Sequence, residues 1–277
     1  MTSTPSRHPK PQASRHPKPN RAKSTDADAG VTAAANQTVA NQTVAIQRRV
    51  DGALDTHELA KDYGDRPALL SLDLHVGRGE RVAVVGHNGS GKTTLIRMAA
   101  GLLDPTAGKV FVMGQPGGSM QARESLAYLS DTPTFYDDLS VWEHLEYVAR
   151  LHHVVEWEQV AADLLGHLGL YERADELPNT FSRGLRQKAA ISLAFVRPFE
   201  VLLVDEPFVG LDQAGRGALL ELLDQAGDDG AALIVATHEL SYVNKVNRLI
   251  ALRDGAVIHD GSPHDVAVGN LVAQHAE

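Results

Sequence analysis

The chain has no cysteine among its 277 residues, which excludes disulfides and every zinc site built on thiolates. It also lacks a run of about 18 uninterrupted apolar residues, the length a spanning helix needs. Its most apolar stretch, residues 191–204, is cut by Arg197, Pro198 and Glu200. No segment is therefore expected to cross a membrane. The first residues, MTSTPSRHPKPQ, are basic but lead into no apolar segment, so no secretory signal is expected and the chain is read as facing the cytosol. What is present, 43% hydrophobic and 22% charged residues, suits one compact unit or two small ones and excludes collagen, coiled-coil and wholly disordered chains.

Positive charge is scarce outside the first 50 residues. That segment holds eight basic against two acidic residues, a net +6, which leaves −15 for the rest of a chain whose total is −9. An acidic body repels polyanions, so no nucleic-acid partner is expected for it. The basic segment is repetitive: SRHPKP occurs at 6–11 and 14–19, and ANQTV at 35–39 and 40–44. Such composition does not offset its own ordering entropy, and residues 1–48 are read as a disordered, low-complexity leader.

From residue 49 the pattern becomes that of an α/β domain. Strands are expected at 53–59, 69–76, 82–85, 109–113, 125–129, 201–204 and 232–236, and helices at 93–103, from about 140, over a segment carrying Val160, Leu164, Leu165 and Leu168, from about 184, and at 215–225. Ser140 with Glu143 forms a capping-box pattern, after which Val141, Leu145, Val148, Ala149 and His152 share one helical face. Near-continuous apolar strands imply a sheet covered on both faces and largely parallel. The expected division is a core at 49–118 and 190–277, interrupted by a helical insertion at 119–189.

Two motifs carry chemistry. Gly86-His87-Asn88-Gly89-Ser90-Gly91-Lys92-Thr93-Thr94 fits G-x-x-x-x-G-K-[ST], follows a strand and opens a helix. Glycines let backbone N–H groups close on phosphates. Lys92 supplies a point charge, Thr93 offers its hydroxyl to Mg²⁺, and the helix N-terminus adds its dipole. Further on, the apolar strand 201–204 ends in Asp205-Glu206. Alternation along a strand points successive side chains apart, which assigns Asp205 to the metal and Glu206 to an attacking water. His238 follows the strand 232–236 at its carboxyl end, where open α/β sheets bind ligands. His152-His153 is not expected to bind a metal, because adjacent residues on a helix point about 100° apart.

With these motifs in this order, the chain resembles the nucleotide-binding subunits of ATP-binding cassette (ABC) transporters over about residues 53–265. Phe181-Ser182-Arg183-Gly184-Leu185-Arg186-Gln187 is similar to the family signature LSGGQ, and Ser182 lies 23 residues before Asp205. The resemblance implies a P-loop NTPase (RecA-like) core sheet with an N-terminal antiparallel β region and an inserted α-helical subdomain. It further implies ATP and Mg²⁺ as cofactors, and a head-to-tail dimer in which Ser182 and Gly184 meet the γ-phosphate of ATP on the opposite subunit. Tyr63 resembles the aromatic that stacks on adenine, Gly210-Leu211-Asp212 the D-loop, and His238 the switch histidine. The partners so implied are a transmembrane permease and a second nucleotide-binding subunit, identical or not, with the chain peripheral on the inner face of the cell membrane.

Two positions depart from the family pattern. After Tyr128-Leu129-Ser130 stands Asp131 in place of the usual glutamine, a carboxylate that can meet Mg²⁺ but cannot donate as an amide does. Arg183 occupies a glycine position of the signature. Both departures point toward export. The alternative is a non-transport ABC ATPase acting on nucleic acid or ribosomes, opposed by the single cassette, the acidic body and the 113-residue spacing from Lys92 to Asp205, which leaves no room for a long coiled coil. A P-loop kinase or GTPase is opposed by the signature.

Overall fold

The computed structural model describes residues 52–64 and 66–269; the expected leader at 1–48 lies outside them. Two sheets are built. Strands β1 (Leu54–Asp62), β2 (Pro67–Val76), β4 (Ala107–Val112) and β5 (Gln115–Pro116) form an antiparallel sheet in the order β2-β1-β4-β5. The second sheet has the order β10-β9-β3-β8-β7-β6, from β3 (Arg81–Val85), β6 (Leu126–Leu129), β7 (Val201–Asp205), β8 (Ala232–Ala236), β9 (Arg248–Arg253) and β10 (Ala256–Gly261). Every pairing in it is parallel except β9 with β10. The expected parallel core and antiparallel β region are both present.

The central strands are apolar on both sides because both faces are covered. On one face, Val82, Val84, Leu203 and Ile234 pack with α1 (Lys92–Ala99) and the antiparallel sheet. On the other, Ala83, Val85, Val204 and Val235 pack with α5 (Arg183–Phe195) and α6 (Gln213–Asp228). A third cluster joins α3 (Val141–Leu151), α4 (Trp157–Leu168) and α5 through Leu145, Trp157, Leu165 and Ala189. Two short helices, α2 (Met120–Ser125) and α7 (Leu240–Val243), complete the set.

Several elements differ from expectation for local reasons. Helix α1 stops at Ala99 rather than Leu103, since Gly101 takes φ +68° and an added Cβ there would collide with Gly118. Strand β6 lies inside the span expected for the helical insertion, yet it pairs with β7 from Leu126 through Leu129 as the edge of the parallel sheet. The capping box at α3 is formed, with Glu143 N–H donating to Ser140 Oγ at 3.2 Å and Ser140 N–H to Glu143 Oε2 at 2.7 Å. The buried histidine of α3 is His144, not His152. Its Nε2 accepts from Tyr136 N–H at 2.9 Å, which leaves Nδ1 to donate to the Ser140 carbonyl at 2.7 Å, so both ring nitrogens are satisfied. His152 follows the end of the helix and His153 has φ +56°, so the pair is not helical at all.

Candidate functional site

Strand β3 delivers the glycine-rich loop. Gly86, Gly89 and Gly91 take φ +154°, +85° and +107°, backbone angles that L side chains rarely adopt. At Gly86 a Cβ would also strike the Leu252 carbonyl and Ser90 Oγ. The loop is held from behind by the β9–β10 turn. Gly255 N–H donates to the Ser90 carbonyl at 3.0 Å, and Leu70 N–H to the Gly255 carbonyl at 2.8 Å. Lys92 is buried, and its ammonium bonds the Gly86 carbonyl at 2.6 Å and the His87 carbonyl at 3.2 Å. In front of the loop is a cavity of about 330 Å³ lined by Asn88, Gly89, Gly91, Lys92, Thr93 and Thr94 together with Asp131 and Glu206. His87 turns away from it, its Nε2 lying 3.5 Å from Asp254, and Ser90 is buried beneath.

The two carboxylates arrive from β7, but alternation does not explain their separation. The strand ends at Asp205, and Glu206 takes the left-handed conformation at φ +44°, a strain of order 1 kcal/mol or more that the surrounding structure must hold. Its N–H donates to the Ala236 carbonyl at 2.8 Å. The turn re-aims Glu206 over the loop, leaving its Oε1 3.7 Å from Lys92 Nζ and 3.2 Å from His238 Nδ1, the latter off hydrogen-bond alignment. Asp205 is fully buried, and among the described residues neither of its oxygens has a hydrogen-bond partner. Such a carboxylate is costly unless something charged meets it. With the Thr93 hydroxyl beside it, the pair fits a hard divalent cation.

Burial dominates the proton affinities here. It pushes the Glu206 carboxyl up to about 7, with Lys92 opposing and Asp205 adding. Burial likewise raises Asp205, against the pull of Thr93, Arg97 and Lys92. His238 is lowered, first by burial and then by Lys92, so its imidazole is neutral at neutral pH. A carboxyl raised from 4.5 to about 7 keeps its proton longer in the folded chain. Its cost to stability is absent below about pH 4.5, develops as pH rises through the interval, and is complete above about 7. Glu206→Gln removes that cost. The variant is expected to be more stable than the parent at pH 8, by up to about 3 kcal/mol, and no more stable at pH 4.5, as read by chemical denaturation at the two pH values.

Other residues singled out in the sequence lie elsewhere. Asp131 reaches the cavity, with Oδ1 accepting from Ser130 Oγ at 3.2 Å and Thr132 Oγ1 at 3.1 Å. Tyr63, just past β1, is 61% exposed under Lys61 and does not line the cavity. Ser182 caps α5, accepting from Leu185 N–H at 3.4 Å. A Cβ on Gly184 would come to 2.5 Å from the Gly210 carbonyl, so the signature helix rests directly on the segment that leads from Glu206 to α6. Asp212 ties the same two parts, capping α6 through Gly215 N–H at 2.8 Å and pairing with Lys188 at 3.1 Å. Ser182 and Gly184 do not line the cavity of their own chain. Arg97 escaped the sequence reading; its Nη2 lies 3.6 Å from Asp131 Oδ1.

A loop that presents lysine and threonine, faced by one buried and one part-buried acid, is the arrangement of a nucleoside triphosphatase. The family described as "ABC transporter" matches residues 69–209. The chain belongs to that family. As an ABC ATP-binding subunit it is 32% identical to the SkfA peptide export ATP-binding protein SkfE of Bacillus subtilis over 210 residues, 75% of this chain and 88% of that protein. It is 32% identical to the methionine import ATP-binding protein MetN of Chlamydia pneumoniae over 226 residues, 77% of this chain and 66% of the other. A solved ATP-binding subunit of an ABC transporter superposes with a TM-score of 0.73 at 30% identity, covering 79% of this chain and 97% of that one.

Proposed function

We propose that this ABC ATPase hydrolyses ATP between two head-to-tail subunits, and that the closing and reopening of the pair drives export through a separate membrane-spanning permease. The observation that carries the reading is fully buried Asp205 followed by part-buried Glu206, which lines the cavity with Lys92 and Thr93. Gly89, Gly91 and the backbone of Asn88 and Ser90 wrap the phosphates, and Lys92 leaves its own loop carbonyls for the β- and γ-phosphates. Thr93, Asp205 and Asp131 would hold Mg²⁺, which would supply positive charge to the phosphates. Glu206 takes a proton from the attacking water, while His238, neutral beside it, donates toward the γ-phosphate. Tyr63 stacks on adenine from its exposed position.

Ser182 and Gly184 face the γ-phosphate of the partner subunit's nucleotide, the N-terminus of the 13-residue helix α5 supplying the dipole. Contact between Gly184 and Gly210 then passes movement of the signature helix to Glu206. Residues 49–277 act as one ATPase domain with a helical subdomain, peripheral on the cytoplasmic face of the membrane. Export is favoured by Arg183 and Asp131, and SkfE is named for it. MetN is named for import.

Light scattering tests the pairing. In Glu206→Gln, which binds ATP without consuming it, Mg-ATP is expected to double the molar mass from that of the 29.8 kDa chain. Adding Ser182→Arg, which fills the signature end of α5, is expected to leave a monomer. A molar mass unaffected by ATP would contradict the head-to-tail arrangement.

A further inference from the structure

A cleft of about 660 Å³ adjoins the phosphate cavity. Ser130 and Thr132 line the cleft while Asp131 between them lines the cavity, so these three residues form a wall common to both. Arg97 stands on the cleft side of that wall and meets Asp131 across it. It belongs to α1, the helix that begins at Lys92, so its place is fixed to the phosphate loop. The hydrogen bonds from Ser130 and Thr132 to the Asp131 carboxylate fall on Oδ1, the oxygen that also lies 3.6 Å from Arg97.

A carboxylate at position 131 creates an electrostatic problem that an amide would not. Glu206 at the cavity and the fully buried Asp205 next to it already set two acids against one lysine, and Asp131 acts on both of them to disfavour their ionisation. Arg97 is the second cation, and it opposes Asp131 at Asp205. Independent of this acidic group, the fully buried and unpartnered oxygens of Asp205 call for a cation.

We propose that Arg97 is a positioning residue that shares the Asp131 carboxylate with the divalent cation of the ATP site, holding Asp131 at the cavity wall and competing with the cation for its charge. The proposal rests on the reading that Asp205 and Thr93 hold that cation. When the cation engages Asp131, the hold of Arg97 weakens and its guanidinium is freed toward the cleft. Cation occupancy thereby changes the charge presented on the far side of the wall.

The test compares the affinity of the full chain for a fluorescent non-hydrolysable ATP analogue with Mn²⁺ and with EDTA, and the ratio of the two is the metal's contribution. Asp205→Asn is expected to bring the ratio close to one, and if it does not, the cation site itself has been misread. Given that collapse, Asp131→Asn is expected to lower the ratio about tenfold through loss of an anionic ligand. Arg97→Met is expected to raise it about threefold, the size of a partly exposed ion pair. In the Asp131→Asn background, Arg97→Met is expected to change nothing beyond the error of the measurement. An Arg97→Met effect of equal size in both backgrounds, no effect in either, or an unchanged ratio in Asp131→Asn would overturn the proposal while leaving the cation site standing.

Discussion

ATP turnover by the Glu206→Gln protein is expected to fall by about 10²- to 10⁴-fold, the range for loss of a positioned general base, while its affinity for ATP stays within a few-fold of the parent. The substitution preserves shape and the ability to meet His238, and it removes only the capacity to take a proton. Asp205, the adjacent acid, is fully buried and is proposed for the cation. Rapid-mix phosphate release, alongside equilibrium binding of ATP, separates the two effects. Turnover within tenfold of the parent would remove Glu206 from the chemistry.

Lys92→Met is expected to cost at least about 100-fold in affinity for a non-hydrolysable ATP analogue, since two charge-assisted hydrogen bonds to phosphate are worth about 1.5–3 kcal/mol each. The effect extends beyond the lost contacts. Lys92 is the chief charge that opposes the burial-driven rise of Glu206 toward about 7. Without it Glu206 holds its proton to higher pH, so the residual activity of Lys92→Met is expected to need more alkaline conditions than the parent. Fluorescence titration with the analogue reads the first effect, and the pH at half-maximal rate the second. Analogue affinity within threefold of the parent would mean that Lys92 stays bonded to the Gly86 and His87 carbonyls and never reaches the nucleotide.

The sequence made the phosphate loop legible because its chemistry is local. Gly86, Gly89 and Gly91 are demanded by backbone angles within one turn, and Lys92 and Thr93 follow from where a helix must begin. The parallel sheet was legible for a related reason, since strands such as residues 201–205, buried on both faces, leave no room for polar alternation. What escaped were contacts between distant segments. Arg97 looks like an ordinary basic residue in the last turn of α1 until Asp131 is found beside it. His144 is a core residue because Tyr136 N–H needs an acceptor, a demand set by the path of a loop. The separation of Asp205 and Glu206 does not come from strand alternation, which ends one residue earlier than the motif does. The contact of Gly184 with Gly210 is likewise invisible to spacing, although the signature and the D-loop resemblance each marked one side of it.

The central claim is that Glu206 is the base for ATP hydrolysis, held protonated by burial until about neutral pH. It is tested most directly by measuring kcat/KM for ATP from pH 5.5 to 9 at saturating Mg²⁺, with Glu206→Gln measured alongside to remove the titration of ATP itself. The account predicts that kcat/KM of the parent rises about tenfold per pH unit below neutral and levels off near 7, the value for the free protein's Glu206, and that the inflection is missing from the residual rate of Glu206→Gln. A parent profile flat through neutral pH, or the same inflection in both proteins, would contradict it.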